Sequence, residues 1–251
     1  MKCSLLILIL FCSGQVFSAQ KTISICTLEW PPYFGVNEKG NGWAWVVLEE
    51  AAALKGYQLK LNILPWARAV QEVKRGVCDA LAGAYYTKER AEWALFSEPL
   101  GEAKVVLFKH QDLHIEFNHF EDLKPYQIGV GHGFVASPAF DAADYLNKLY
   151  LTHANQGLKM VFAKRLDLMV FGEKPGLKML QKIEHEKGFK GISQIVKPLS
   201  HAIKVNTFHL AISKKIEAAS ALLKDINDGI RVLRKSGRYD EIIEMNLQHN
   251  N

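Results

Sequence analysis

The sequence predicts an α/β protein of two lobes, with two parallel-rich sheets, flanking helices and a two-strand hinge between them. Extended apolar segments alternate with helical ones, which is the pattern of parallel sheets with crossover helices. The alternation occurs twice along the chain, and one further extended apolar segment follows each set. With 251 residues, 49% hydrophobic and 23% charged, the composition excludes disordered, collagen-like and coiled-coil proteins.

Residues 1–19 have the pattern of a secretory signal peptide. Lys2 precedes the apolar run Leu5–Phe11, and small residues follow up to Ala19. The run is shorter than the ~20 apolar residues that a membrane-spanning helix needs. We therefore expect cleavage near Ser18 or Ala19 and a periplasmic protein, with an uncleaved anchor as the alternative.

The first lobe is predicted over residues 20–109. Its helices are expected to end at Gly56 and Gly76, because glycine is the usual residue just past a helix. The predicted strands are Thr22–Leu28, Tyr57–Leu64 and Asp79–Gly83, and the predicted helices are Trp43–Lys55 and Trp66–Arg75.

The second lobe is predicted over residues 110–204, and residues 205–251 are expected to return to the first lobe with two helices. Lys104–His110 and Asn206–Ser213 are the predicted crossing strands. The second lobe has predicted strands at Gln127–Val130, Leu149–His153 and Leu166–Phe171, and helices at Ser137–Lys148, Gln156–Lys164 and Lys174–Lys187.

Two cysteines remain if the signal is removed with Cys3 and Cys12. Cys26 and Cys78 would then lie in a compartment where a disulfide persists. On neighbouring parallel strands their offset would exceed the ~7 Å that a bridge allows between Cα atoms. We therefore expect two buried free thiols.

Charge and motifs exclude several functions. The net charge of +5 is spread along the chain, which argues against a nucleic-acid partner. The histidines are too scattered for metal-ligand spacing, and no phosphate-binding, zinc-protease or nucleophile-elbow motif occurs. No metal or cofactor is predicted.

Eight short motifs, in their order, resemble the bacterial extracellular solute-binding proteins of family 3, the amino-acid-binding type of periplasmic binding protein. The resemblance covers essentially the whole chain after the signal and implies a type II periplasmic binding protein fold with a ligand cleft between the lobes. The motifs are Glu29–Tyr33, Gly42–Trp43, Gly76–Ala80, Thr87–Arg90, Phe96–Pro99, Ile128–Gly133, Arg165–Asp167 and Gly237–Asp240.

The resemblance implies that Arg90 holds the carboxylate of the ligand. A guanidinium presents a fork of donors that matches a carboxylate in two parallel hydrogen bonds; the alternative is a solvated arginine paired with Glu89 or Glu92. Gly83 and Tyr85 lie where the family places small and hydroxyl residues of the carboxylate site. Tyr85 replaces the usual serine.

Aromatic residues are expected around the cleft. Trp66 lies where family members place an aromatic that stacks on the ligand, and Trp30 and Tyr33 follow the first strand. The alternative for these aromatic residues is core packing or a contact between closed lobes. In the second lobe, Gly133 and Phe134 precede a predicted helix whose free N–H groups would meet an anionic group. The family commonly has Ser or Thr in place of Phe134.

The acidic residues that bind the ligand's ammonium group in amino-acid-binding members of the family are missing from this sequence. Their positions map to Val46 and near Gly172, so that Glu29 and Glu173 are the carboxylates able to take over. Because an unpaired buried charge is costly, we expect poor binding of basic amino acids. Acids with an aromatic or flat apolar body should bind more tightly.

The predicted function is a periplasmic solute-binding protein, monomeric and not an enzyme, that delivers a small carboxylate-bearing molecule to an ABC-transporter permease or a receptor. Closure of the lobes on the solute is what a partner would recognise. Two alternatives remain open: an enzyme resembling cyclohexadienyl dehydratase, with Glu173 as general acid, and a sensory binder without a transporter.

Overall fold

The computed structural model describes residues 21–248. These residues form a mixed α/β fold in which the chain alternates strands and helices twice. The strands are β1 Lys21–Thr27, β2 Tyr57–Ile63, β3 Ala80–Tyr85, β4 Ala94–Phe96, β5 Gly101–His110, β6 Gln127–Gly131, β7 Asn147–Leu151, β8 Leu168–Gly172, β9 Val196–Pro198 and β10 Lys204–Ser213. The helices are α1 Trp43–Ala53, α2 Trp66–Arg75, α3 Lys88–Trp93, α4 Pro138–Ala142, α5 Ala154–Phe162, α6 Glu173–Glu184, α7 Ile192–Ile195, α8 Ala219–Lys235 and α9 Arg238–Gln248.

Two parallel sets of strands define the lobes. In the first lobe β1 pairs in parallel with β2 and β3, and in the second lobe β6 pairs in parallel with β7 and β8. The predicted crossing strands are β5 and β10, which pair with each other antiparallel. Because β10 also pairs with β3 and β5 also pairs with β8, the hydrogen-bonded ladder continues from one lobe into the other.

The helix predicted at Ser137–Lys148 is wrong in its second half. Ser137 caps α4 by accepting the Phe140 N–H at 3.2 Å, but α4 ends at Ala142. Asn147–Leu151 instead pairs with β6 over its full length. Strand pairing at the sheet edge therefore overrides the local helical preference, and the strand predicted at Leu149–His153 begins two residues earlier.

The prediction of free cysteines is wrong, because Cys26 and Cys78 form a disulfide with Cα atoms 6.0 Å apart. Cys26 lies opposite Leu81 on β3, but Cys78 is in the turn before that strand. Its N–H donates to the Glu72 carbonyl at 3.3 Å, which ties the turn to the end of α2. The bridge is thereby buried beneath α2, against Ala69 and Val73.

The C-terminal helices pack on α1 of the first lobe. A Cβ at Gly229 of α8 would lie 2.3 Å from the Ala51 carbonyl oxygen, so only glycine permits this close approach. Arg238 at the start of α9 makes a two-point ion pair with Glu50, with N···O distances of 3.0 and 2.7 Å. In the described part of the chain, no helix combines the length and apolar character needed to cross a bilayer.

Candidate functional site

The two lobes meet where a turn of the second lobe touches the first residue of α2 and the side chain of Arg90. The turn, residues 131–134, follows β6 and is closed by a hydrogen bond from the Phe134 N–H to the Gly131 carbonyl at 2.9 Å. Gly133 has φ +70°, in the left-handed region that favours glycine. Its carbonyl accepts hydrogen bonds from Trp66 Nε1 and Arg90 Nη2, each at 2.9 Å.

Arg90 is buried at this seam, with 5% of its surface exposed. Thr87 caps α3 by accepting the Arg90 N–H at 3.1 Å, and Nη1 donates to the Tyr85 carbonyl at 2.9 Å. Burial lowers the pKa of Arg90 to about 10, so the guanidinium is charged at neutral pH. No carboxylate of the described residues lies within 4.0 Å of it, which excludes an ion pair with Glu89 or Glu92.

Tyr85 is a second residue with a polar group buried at the seam. Its hydroxyl has no hydrogen-bond partner among the described residues, and burial raises the pKa of that hydroxyl. The ring lies 6.0 Å from Trp30 and 6.1 Å from Phe134 between centroids. A buried hydroxyl without a partner is costly, so the Tyr85 hydroxyl lowers the free energy of unfolding.

Trp30 and Tyr33 belong to an aromatic core around Phe208 of β10. Their rings lie 5.2 and 4.9 Å from the Phe208 ring between centroids. The Tyr33 hydroxyl donates to the Glu102 carbonyl at 3.3 Å, and burial, followed by the charge of Glu173, raises its pKa. Gly83 has φ +81°, and a Cβ there would lie 3.3 Å from Trp30.

The two predicted carboxylates lie in different places. Glu29 faces the cleft, and its Oε2 accepts the Val36 N–H at 3.4 Å. Glu173 begins α6 and pairs with Lys104 of β5, with an Nζ···Oε1 distance of 3.0 Å. Among the described residues, no group of three or more His, Cys, Asp or Glu side chains is placed to hold a metal ion.

A cavity of about 640 Å³ opens between the lobes. Of the predicted site residues, Glu29, Trp66 and Phe134 line it. A smaller space of about 20 Å³ adjoins it and shares Leu28, Trp66 and Phe134 with it. The predicted residues Trp30, Gly83, Tyr85 and Arg90 line this smaller space. Arg90 also lines a second cavity of about 350 Å³ together with Glu89 and Asp141.

A family model, described as bacterial extracellular solute-binding proteins, family 3, matches residues 23–249. The chain belongs to this family. The resemblance of the motifs and the expected fold class are thereby confirmed, and no curated protein sequence matches the chain significantly.

Solved structures similar to this solute-binding protein share its fold at low sequence identity. A mutant of ArgBP from T. maritima has a TM-score of 0.76 and 21% identity, covering 90% of this chain and 95% of that one. A histidine kinase sensor domain with similarity to periplasmic binding proteins has a TM-score of 0.76 and 19% identity, covering 91% and 97%. The amino acid ABC transporter substrate-binding protein AbpA from Streptococcus pneumoniae, bound to L-arginine, has a TM-score of 0.70 and 18% identity, covering 90% and 94%.

Sequence reasoning missed the second-lobe wall of the cavity. This wall is formed by the turn after β6, the start of α5, and α6 with the residues that follow it. It contributes His132, His153, Asn155, Lys178, Met179, Lys182, Ile183 and Glu186. The spacing of 178, 179, 182 and 183 is the i, i+4 pattern of one helix face, and this pattern was the available signal. Such a face is also typical of ordinary core packing, so the sequence alone does not separate the two.

Proposed function

We propose that this solute-binding protein is periplasmic and captures a small carboxylate-bearing molecule between its lobes, for delivery to a membrane permease or a receptor. The observation that carries the proposal is Arg90, a buried guanidinium without a carboxylate within 4.0 Å in the described chain, which lines the small space beside the cleft. A buried charge is stable when an opposite charge and hydrogen bonds satisfy it. A carboxylate would supply both.

The rest of the cleft supports a solute with an apolar body. Trp66 and Phe134 line both the large cavity and the small space at Arg90, and Phe171 and Met179 line the large cavity. Aromatic rings and a thioether suit a flat apolar group. Of the two predicted carboxylates, Glu173 is already paired with Lys104, and Glu29 alone is left to pair with an ammonium. Weak binding of lysine, arginine and histidine therefore stays our expectation.

Delivery and export are further parts of the proposal. The family is extracellular, and the predicted signal peptide lies outside the described residues. Intact mass of protein recovered from the periplasm should give a chain that starts near Ala19 or Gln20. A full-length membrane-embedded form would contradict export.

The solute is found by a thermal-shift screen of small metabolites followed by calorimetry. A ligand at 100 times its Kd adds about 2.7 kcal/mol to the free energy of unfolding. Arg90→Gln should weaken binding of the identified acid by roughly 2–5 kcal/mol, because a buried charge pair loses one partner. Arg68→Gln is the matched control, since Arg68 is an exposed arginine of α2 that pairs with Glu72.

Equal affinity for the wild type and Arg90→Gln would remove Arg90 from the site. Submicromolar binding of lysine or arginine would overturn the inference from the missing acids. The enzyme alternative requires Glu173 as an acid, and its pairing with Lys104 gives that role no support. Conversion of a stabilising compound to a product would nevertheless establish an enzyme.

A further inference from the structure

The second-lobe wall of the cavity of about 640 Å³ includes two lysines of one helix. Lys178 and Lys182 lie one turn apart on α6, at the i, i+4 spacing that places two side chains on the same helix face. Met179 and Ile183, which follow them in the sequence, line the cavity as well. Two cationic side chains therefore border the cavity beside two apolar ones.

The carboxylate on this wall is already paired. Glu186, which follows α6, forms an ion pair with Lys159 of α5, with an Nζ···Oε2 distance of 2.5 Å. Lys182 has no carboxylate of the described residues within 4.0 Å. A bound solute excludes water and lowers the effective dielectric constant, so a cation at the cavity then attracts an anion more strongly. Lys182 is thus a cation with which an acidic group of a solute can pair.

The acids of the first lobe line the same cavity and limit where a solute can carry negative charge. Glu29 and Glu38 are these acids. The Glu29 carboxylate is held on its own loop, where Oε2 accepts the Val36 N–H at 3.4 Å and Oε1 lies 2.9 Å from the position of a Cβ at Gly35. Because like charges repel, an acidic group in this cavity is favoured on the side of the second lobe.

The helix α6 also sets a length for the solute. It begins directly after Gly172, where a Cβ would lie 3.4 Å from Trp30 Nε1, and Trp30 lines the small space together with Arg90. Lys178 and Lys182 are five and nine residues beyond the first residue of α6, which is about 8 and 14 Å along the helix axis. A solute that reaches both Arg90 and these lysines is therefore on the order of 10 Å long.

We propose that the solute is a dianion, a dicarboxylic acid whose two carboxylates lie at opposite ends of an apolar body. This inference rests on the proposed function, in which one carboxylate meets Arg90, and it assigns the second carboxylate to Lys178 and Lys182. A dianion has no ammonium group. It therefore needs no acidic partner at the positions of Val46 and Gly172, where this sequence has none.

The test compares matched probes by calorimetry. The three probes are 1,4-phenylenediacetate, its monomethyl ester and 4-(aminomethyl)phenylacetate, which share a ring and one carboxylate and carry a negative, neutral or positive group at the far end. The diacid should bind roughly tenfold or more tightly than the half-ester, as expected for a charge-assisted hydrogen bond. Straight-chain dicarboxylates from glutarate to sebacate, each compared with its half-ester, measure the preferred length.

Variants of α6 locate the second carboxylate. Lys182→Gln and the double variant Lys178→Gln/Lys182→Gln should weaken the diacid roughly three- to thirtyfold, between the values for an exposed and a buried charged pair. They should leave the half-ester unchanged. Lys182→Glu should reverse the order, so that the aminomethyl probe binds more tightly than the diacid. Lys174→Gln is the matched control, because Lys174 is an exposed lysine of the same helix outside the cavity lining.

The dianion is supported if the wild type prefers diacids and the lysine variants lose this preference while Lys174→Gln keeps it. It is overturned if no diacid binds at millimolar concentration, if the half-esters bind as tightly as the diacids, or if the lysine variants keep the preference. Arg90→Gln separates this result from the proposed function, since it should weaken diacids and half-esters alike. Half-esters that depend on Arg90 and match the diacids would overturn the dianion and leave the proposed function standing.

Discussion

The two lobes share one type of hydrogen bond, from a backbone N–H of one strand to an aspartate that precedes the neighbouring strand. In the first lobe, Asp79 precedes β3, and its Oδ2 accepts the Ser24 N–H of β1 at 2.7 Å. In the second lobe, Asp167 precedes β8, and its Oδ2 accepts the Gln127 N–H of β6 at 2.8 Å. In both lobes an acid before one strand thus accepts a backbone N–H of the neighbouring strand, in the middle of β1 and at the first residue of β6, which gives Asp167 a structural contact.

The lobes differ in what they present at the seam. The first lobe presents side chains held by a buried layer, namely Arg90, Trp66 and Tyr85 above a disulfide and an aromatic core. The second lobe presents a backbone carbonyl on a glycine turn and the charged face of α6. The two lobes therefore have similar strand arrangements but different roles at the seam. The first lobe holds the hydrogen-bond donors of Trp66 and Arg90, and the second lobe supplies the Gly133 carbonyl that accepts from them.

Loss of the disulfide should have the largest effect, and it should be confined to the first lobe. The bridge closes a separation of 52 residues, and removing such a bridge costs about 2–4 kcal/mol of unfolding free energy. In Cys26→Ala/Cys78→Ala, hydrogen exchange should accelerate in α2 and the turn after it. Peptides from β6, β7 and β8 provide the internal control, and equal acceleration in both lobes would contradict the difference between them.

Tyr85→Phe should raise the free energy of unfolding by about 1 kcal/mol, because it removes a buried hydroxyl that has no partner. Tyr33→Phe is the matched control and should lower it by roughly 0.5–1.5 kcal/mol, since that hydroxyl bonds the Glu102 carbonyl. Denaturant melts of both variants give the comparison. A loss of stability in Tyr85→Phe would show that its hydroxyl finds a partner in solution.

A small pH effect should come from His209 on β10. The ring is half-buried, its Nδ1 lies 2.8 Å from the Ser97 carbonyl, and burial lowers its pKa below the ordinary 6.5. The unfolded chain then binds a proton first as the pH falls, so the stability present above pH 6.5 declines as the pH drops below it toward the folded-state pKa.

His209→Gln should flatten this decline in melts between pH 7 and pH 5, about the range in which histidine titrates. His201 is an exposed histidine of the second lobe, and His201→Gln should keep the wild-type slope. Equal slopes for the wild type and His209→Gln would mean that the acid sensitivity arises elsewhere.

The local sequence pattern was enough to predict those elements whose tertiary contacts favour the same secondary structure. The bounds of α2 follow from the sequence alone, because Pro65 precedes it, Gly76 ends it in the left-handed conformation and its apolar residues repeat with the helical period. Residues 143–148 show the limit of local pattern. Residues 143–146 form neither helix nor strand, and from Asn147 onward pairing with β6 makes the chain a strand.

The sequence by itself determined the α/β class, the two crossing strands and the family, because apolar periodicity and short motifs are local properties of the chain. The tertiary structure decided the disulfide, the buried state of Arg90 and its meeting with Gly133. Each of these depends on how a turn folds over a neighbouring element, to within an ångström or two. Hydrogen bonds and disulfides have strict distance limits, and sequence spacing does not specify distances between residues that are far apart in the chain.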